Sequence, residues 1–181
     1  METTFRKIWK KSEILGEINL IFVTVGTMYG FQRLIKEMDE IAKNIDEEVI
    51  MQIGETTYEP INTKYFRFAS REKMNQIYTN SRVVVCHAGV GSILSAIEHM
   101  KPVIVVPRRK EYGEVIDDHQ LEITREFQKE GIIKAVYDLY ELKNIMKEPI
   151  NSIYIKNENI LAKRLKEYLN QLSSKVGVRS Y

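Results

Sequence analysis

Residues that could hold a phosphorylated ligand are concentrated in one short stretch, residues 87–92, which reads HAGVGS. Gly89 and Gly91 allow the backbone to approach a ligand closely and to adopt positive φ values. A helix beginning near Ser92 would direct its unpaired N–H groups and its dipole toward an anion, and His87 adds a donor that can be cationic. We expect a diphosphate to fit here. The alternative that the pattern leaves open is a tight turn with Ser92 as the helix N-cap.

The HAGVGS stretch has to be positioned by a strand before it and a helix after it. Residues 82–86 form a short apolar, β-branched run that is typical of a strand buried on both faces. Apolar residues then recur at helical spacing: Ile93, Leu94, Ala96, Ile97 and Met100. Lys101 and Pro102 are expected to end this helix, and residues 103–106 supply another buried strand. These segments predict one βαβ unit and hence a parallel sheet.

A second strand and helix precede this unit. Residues 18–25 (INLIFVTV) predict a strand, followed by a turn with the sequence GTMYG. The apolar stripe of the next helix consists of Phe31, Leu34, Ile35, Met38, Ile41 and Ala42. The turn does not match GxGxxG, and no acidic residue stands where the ribose of a nicotinamide cofactor would need one, so dinucleotide binding is excluded. Gly26 and Thr27 could still donate to a ligand at the carboxyl edge of the sheet; a purely structural turn is the alternative.

The rest of the chain continues the alternation of strands and helices. Further strands are predicted at residues 48–53, 65–68 and 132–136. Ser70 is expected to cap a helix at residues 71–78, and a short helix is expected at residues 138–146. We therefore predict an α/β fold, a Rossmann-like parallel sheet with helices on both faces.

A polar segment, RRKEYGEVIDDHQ at residues 108–120, follows the strand at residues 103–106 and leads into a helix predicted at residues 118–130. Polar side chains at the entrance of a helix beside a buried strand form a plausible ligand rim. The alternative is a solvated loop in which Asp117 or Asp118 serves as the N-cap.

Amphipathic segments stand at both ends of the chain. Residues 1–17 predict a basic amphipathic helix, which either lies on an anionic membrane surface or packs on its own domain. Residues 151–181 contain a helix at about residues 155–172 whose leucines lie on one side and need a surface to cover, either the domain itself or another subunit. Residues 18–150 form the predicted nucleotide-binding domain. No run of the sequence reaches the apolar length of a membrane-spanning helix.

Size and composition narrow the class of protein. With 181 residues the chain can form one domain with a real core but not two full doubly wound domains. The formal net charge is only +2, from 27 basic and 25 acidic residues, which disfavours nucleic acid as a partner. The single cysteine, Cys86, lies in an apolar run and cannot form an internal disulfide, which favours a packing role in a reducing compartment.

Three motifs together resemble one family. VTVGT near the start, HAGVGSILSAIE in the middle and KPVIVVPRR with YGEVIDDHQ afterwards occur in this order within residues 18–136. They resemble the C-terminal, donor-binding half of MurG-like GT-B glycosyltransferases. The resemblance is closer to free-standing versions of this half: the catalytic subunit of the split enzyme that adds the second N-acetylglucosamine to dolichol-linked glycans, and PssE-like exopolysaccharide proteins. It implies a single GT-B half-domain.

The resemblance also implies roles for the residues of the three motifs. In the family the histidine and the Gly-Ser turn hold the diphosphate of a nucleotide sugar, the first βα turn lines the same site, and the Asp-His-Gln segment contacts the sugar. The implied donor-binding residues are Gly26, Thr27, His87, Gly89, Val90, Gly91, Ser92, Arg108, Asp118, His119 and Gln120. His87 is the implied catalytic residue, and Arg108 or Arg109 would stabilise charge on the departing UDP. Many relatives carry a ribose-binding carboxylate where this chain has Ser95, with Glu98 one turn later.

The implied reaction is a metal-independent, inverting transfer of a sugar from a UDP-sugar to a lipid-linked acceptor, with no cofactor besides the donor itself. No DxD motif stands in a loop of the type that would hold a metal. In GT-B enzymes the general base usually comes from the N-terminal half, so the resemblance implies a heterodimer with a membrane-anchored, acceptor-binding subunit at the cytosolic membrane face. Spacing does not distinguish which sugar is transferred. Two alternatives remain open: a UDP-sugar epimerase or hydrolase of the same fold, and a non-catalytic nucleotide-binding or scaffold subunit.

Overall fold

A computed structural model of the protein describes residues 19–147. Six strands form one parallel sheet in the order β3-β2-β1-β4-β5-β6. The strands are β1 Leu20–Thr24, β2 Glu48–Gln52, β3 Lys64–Phe66, β4 Val83–His87, β5 Val103–Val106 and β6 Lys134–Ala135. The helices predicted at residues 1–17 and 155–172 lie outside the described residues.

Five α-helices cover the two faces of the sheet. They are α1 Gln32–Ala42, α2 Arg71–Asn80, α3 Val90–Glu98, α4 His119–Lys129 and α5 Leu142–Lys147. Apolar residues of α1 and α5 pack with one face of the central strands, and those of α2, α3 and α4 pack with the other. Because both faces are covered, β1, β4 and β5 are buried along their whole length, which explains why these strands are continuous apolar runs. The predicted Rossmann-like fold is confirmed.

The strand order reverses at the centre of the sheet, between β1 and β4. Chain connections from β1 lead outward to β2 and β3, whereas those from β4 lead outward to β5 and β6. Thr24 at the end of β1 pairs in register with Cys86, one residue before the end of β4. The turns that leave β1 and β4 therefore begin side by side at the carboxyl edge, which is where open α/β sheets bind their ligands.

Most predicted elements are present, and their ends differ in ways that have local causes. The Ser70 hydroxyl caps α2 by accepting a 3.3 Å hydrogen bond from the Lys73 N–H, as predicted. Helix α3 ends at Glu98 instead of continuing to Lys101, because Met100 adopts the left-handed conformation with φ 56°. The last strand, β6, has two residues instead of the five predicted.

A buried carboxylate organises the loop between β2 and β3, and sequence reasoning did not find it. Asp39 of α1 is fully buried and accepts hydrogen bonds from Tyr58, Asn62, Thr63 and the Ile61 N–H. Burial alone would raise the pKa of this carboxyl, but the hydrogen bonds outweigh burial and lower the pKa. An ionised Asp39 therefore ties α1 to a loop about twenty residues further along the chain.

Candidate functional site

The imidazole of His87 lies between two glycine-containing turns at the carboxyl edge of the sheet. His87 is the last residue of β4, and Gly26 follows β1. A Cβ added to Gly26 would lie 2.8 Å from His87 Cε1, and one added to Gly89 would lie 2.1 Å from His87 Nε2. Both distances are too short for a real side chain. The His87 ring therefore fits between the two turns only because Gly26 and Gly89 have no side chains.

His87 is neutral, which corrects the prediction that it can be cationic. Its side chain is 9% exposed, and its Nδ1 atom has no hydrogen-bond partner within residues 19–147. Burial lowers the pKa of His87 to about 3, with a further lowering from the charge of Arg108, while the Thr24 backbone opposes the shift. At neutral pH this imidazole carries one N–H donor and one acceptor nitrogen.

The prediction that the glycines of the HAGVGS turn adopt positive φ values is wrong. Neither Gly89 nor Gly91 adopts a positive φ; Gly89, with φ −80°, is the N-cap of α3. The left-handed conformation occurs instead at Gly26, with φ 75°. Gly91 is exposed, and a Cβ added there would meet no atom within 4 Å. The backbone near Gly91 is therefore open to a ligand, as a close approach requires.

Helix α3 begins two residues earlier than predicted, at Val90. Its first intrahelical bonds run from the N–H groups of Ser92 and Ile93 to the Gly89 carbonyl, so the N–H groups of Val90 and Gly91 precede the first helical bond. Ser92 is not the N-cap. Its hydroxyl lies at the phenol of Tyr78, whose pKa is raised by burial and lowered less strongly by hydrogen bonds from Ser92 and Ser95. The site thus presents free backbone donors at a helix N-terminus.

Arg108 is buried and holds the turn after β1. Its side chain is 2% exposed and donates hydrogen bonds to three carbonyl oxygens: Val25 and Tyr29 at 2.7 Å and Gly30 at 3.3 Å. The guanidinium carbon also lies 4.9 Å from the centroid of the Phe31 ring. Burial lowers the pKa of Arg108 to about 10, partly offset by Glu114, so it remains a cation. Its contacts position the first βα turn; direct contact with UDP stays a prediction.

The predicted sugar-contacting residues fall into two groups. Asp118 and His119 are exposed, and their contacts are local, with the Lys110 N–H and with Glu122. Gln120 is half-buried, and its side-chain oxygen accepts a 3.1 Å hydrogen bond from the backbone N–H of Arg108. Gln120 is thus the member of this motif that contacts Arg108, the residue whose side chain holds the first βα turn. Asp118 occupies the N-cap position of α4, as the alternative expected, although its side chain makes no cap hydrogen bond; sugar contact by this segment stays a prediction.

An ion pair between Arg33 and Glu114 joins the start of α1 to the loop between β5 and α4. The Arg33 guanidinium donates to both carboxylate oxygens, at 2.8 and 3.0 Å, and to the Pro107 carbonyl at 3.2 Å. Glu114 also accepts from the Arg109 N–H at 2.9 Å. Sequence reasoning missed this pair because its members stand 81 positions apart, and although Glu114 belongs to the YGEVIDDHQ motif, Arg33 belongs to no motif.

A cleft of about 500 Å³ opens beside this ion pair. Its walls come from three loops at the carboxyl edge. The side chains that line it include Tyr29, Arg33, Glu55, Thr57, Tyr112 and Glu114. No residue of the HAGVGS turn lines this cleft. The sequence analysis placed Tyr112 and Glu114 in a predicted ligand rim but did not predict this cleft, because its walls are far apart in the chain.

The fold matches one half of several glycosyltransferases of known structure. The glycotransferase of kitacinnamycin superposes with a TM-score of 0.58 at 16% identity, over 88% of this chain and 40% of that one. The MurG structure from Acinetobacter baumannii gives 0.55 at 16% identity, over 80% of this chain and 44% of that one. These neighbours define the class, a Rossmann-like half of a GT-B glycosyltransferase.

Sequence comparison gives the family. The chain belongs to the glycosyltransferase family 28 C-terminal domain family, whose profile matches residues 20–174. The resemblance expected from the three motifs is confirmed. A human relative, the UDP-N-acetylglucosamine transferase subunit ALG13, is 32% identical over 122 residues. The match covers 61% of this chain but only 10% of the human protein.

Proposed function

We propose that this chain is the donor-binding, catalytic subunit of a two-component glycosyltransferase that moves a sugar from a UDP-sugar to a lipid-linked acceptor. One observation carries the proposal: a neutral, nine-tenths buried His87 with an unpaired nitrogen stands at the open N-terminus of α3. A buried nitrogen without a hydrogen-bond partner lowers stability, so its presence in a folded protein points to a functional role. A diphosphate at the helix N-terminus would accept a hydrogen bond from the ring N–H.

The diphosphate would be held mainly by backbone donors. The N–H groups of Val90 and Gly91 point toward the anion as at any helix N-terminus, and the open space at Gly91 permits close approach. Gly26 and Thr27 would line the opposite side, beyond the His87 ring, and Ser92 would add a hydroxyl. Because His87 Nδ1 is shielded from solvent, the ring has to turn to donate to a phosphate oxygen.

Charge on the departing UDP would be stabilised by the helix N-terminus, by the N–H of His87 and by the nearby Arg108 cation, without a metal ion. The N–H groups at the helix N-terminus are already in place and need no rearrangement when charge develops. Gln120, with Asp118 and His119 on the outer rim, would contact the hydroxyls of the transferred sugar. N-acetylglucosamine is the first candidate, since the human relative is named as a UDP-N-acetylglucosamine transferase subunit.

The proposal includes a partner. The human relative is named as a subunit of a UDP-N-acetylglucosamine transferase. We expect a membrane-anchored subunit to supply the acceptor site and the general base. Residues 18–150 would bind the UDP-sugar and residues 151–181 would dock the partner. Residues 1–17 would face the cytosolic membrane surface. Within residues 19–147 no helix has the length and apolarity needed to cross a bilayer.

The donor site is tested by titrating UDP into the full chain and into His87→Ala by calorimetry. We expect micromolar binding that weakens at least about tenfold in His87→Ala, because a charge-assisted hydrogen bond is lost. His99→Ala is the matched control, since His99 lies half-buried at the opposite end of α3 and should leave UDP binding unchanged. Absence of UDP binding, or equal weakening in both variants, would contradict the donor site.

The two-component arrangement needs a separate test. Sugar transfer from a UDP-sugar to a lipid-linked acceptor should require co-expression of this chain with a membrane-anchored partner. Full-rate transfer by the purified chain alone would rule out the partner while leaving the donor site intact. Release of the free sugar or its epimer in place of transfer would support a hydrolase or an epimerase.

A further inference from the structure

The 500 Å³ cleft beside the Arg33–Glu114 ion pair has features of its own. Two tyrosines at its walls, Tyr29 and Tyr112, are 46% and 54% exposed, so each presents ring surface to a ligand. Glu55, Thr57 and Glu114 add acceptors and a hydroxyl. Below we refer to it as the tyrosine cleft. Aromatic surface combined with a few polar groups is typical of a small-molecule site.

The ring of Tyr112 is held in a defined place. The Arg33 guanidinium carbon lies 4.8 Å from the Tyr112 ring centroid and 5.3 Å from that of Phe31. Glu114 fixes the same guanidinium through two hydrogen bonds. Arg109 approaches Tyr112 as well, with its guanidinium carbon 5.3 Å from the centroid. A platform held in this way loses little side-chain freedom when a ligand stacks on it.

The charges of the residues that line the cleft disfavour binding of a phosphate group. Among the described residues that line the cleft, Arg33 is the one cation, and its charge is paired with Glu114. Arg109, which contacts Tyr112, is paired with Glu111. Glu55 adds a second carboxylate and leaves the walls with an excess of negative charge. A diphosphate or a sugar acid would therefore be repelled. A neutral ligand with many hydroxyl groups suits carboxylate and hydroxyl partners together with two aromatic faces.

We propose that the tyrosine cleft binds a neutral sugar ring of the glycan acceptor, stacked on Tyr112. The inference rests on the proposed function and adds an acceptor contact to the donor-binding chain. The cleft is distinct from the diphosphate site, because no residue of the HAGVGS turn lines it. It adjoins that site, because Arg108 holds the carbonyls of Tyr29 and Gly30 and donates to Gln120. A sugar in the cleft thus lies beside the turn that would line the donor site.

The test uses the full 181-residue chain, labelled with ¹⁵N, and two probes observed by amide chemical shifts. The first probe is a methyl glycoside of N-acetylglucosamine or its disaccharide, and the second is UDP. We expect the glycoside to shift amides of residues 29–33, 55–57 and 112–114, and UDP to shift those of residues 87–92. The two sites are thereby observed in one sample.

Two tyrosine variants make the test specific. Tyr112→Ala should weaken binding of the glycoside by about fivefold to tenfold through loss of the stacked ring. Tyr140→Ala is the matched control, because Tyr140 is 87% exposed in the short 3₁₀ turn Leu139–Glu141, away from the cleft. It should bind the glycoside as the wild type does.

Three outcomes would overturn the proposal. The first is no shift with any neutral glycoside, and the second is equal binding by Tyr112→Ala and the wild type. The third is a shift at the cleft with UDP-N-acetylglucosamine but not with the free glycoside, which would assign the cleft to the donor sugar. In each case UDP binding at residues 87–92 reports independently whether the proposed function still stands.

Discussion

The backbone N–H of Arg108 donates a 3.1 Å hydrogen bond to the side-chain oxygen of Gln120, while the Arg108 guanidinium holds the turn after β1. One buried residue thus connects two of the three loops that meet at the carboxyl edge. The third loop, the HAGVGS turn, is affected through the charge of Arg108, which contributes to keeping His87 neutral.

Replacing Arg108 with lysine should destabilise the protein by about 2–4 kcal/mol, because an ammonium group cannot reproduce the planar fork that donates to three backbone carbonyls. Urea denaturation of the variant and the wild type measures the change. Arg109→Lys provides the control, since Arg109 pairs with exposed Glu111 and should cost less than about 1 kcal/mol. Equal stability of Arg108→Lys and the wild type would show that the carbonyl contacts contribute nothing.

The two glycines of the HAGVGS turn should respond differently to alanine. In Gly89→Ala the new methyl group would meet His87 Nε2 at 2.1 Å, so we expect a loss of about 1–3 kcal/mol of stability. In Gly91→Ala the methyl group has open space, and the helix should gain up to about 1 kcal/mol. UDP affinity should nevertheless fall in Gly91→Ala, because the methyl group occupies the space that a phosphate needs. Unchanged UDP affinity in this variant would place the diphosphate elsewhere.

His87 should make stability depend on pH in a defined window. Its pKa is about 3 in the folded protein against an ordinary value of 6.5, so below 6.5 the unfolded chain binds a proton that the folded one does not. The part of the free energy of unfolding that depends on His87 is therefore fully present above pH 6.5. It falls as the pH decreases, by up to about 1.4 kcal/mol per pH unit. His87→Gln should lack that part of the slope between about pH 6 and 4. Parallel curves for the variant and the wild type would contradict a low pKa for His87.

Asp39→Asn should cost about 2–4 kcal/mol, because an amide cannot accept all of the hydrogen bonds that now converge on the carboxylate. The pKa of Asp39 is lowered, so its stabilisation is present at neutral pH and is lost as the pH falls below the ordinary value of 3.8. Glu40→Gln removes only an exposed pair with Lys43 and should change stability by less than about 0.5 kcal/mol. Thermal or urea unfolding distinguishes the two variants.

The positions of the main strands could be read from the sequence, because continuous β-branched runs such as β4 and β5 occur where both faces of a parallel sheet are covered. The Ser70 cap was equally predictable, since it depends on residues three positions apart. The start of α3 was placed two residues too late. A glycine in extended conformation can serve as the N-cap without a side-chain bond, which leaves no polar residue at the position to mark it.

The amino-acid sequence by itself determined the order of strands and helices, the family and the turn that could hold a diphosphate, because these depend on local periodicity and on short motifs. Only the tertiary structure decided that His87 is neutral, that Arg108 is buried against backbone carbonyls, and that a cleft opens beside Arg33 and Glu114. Those properties depend on the exclusion of water and on contacts between residues as many as 83 positions apart. No local pattern in the sequence reports either of them.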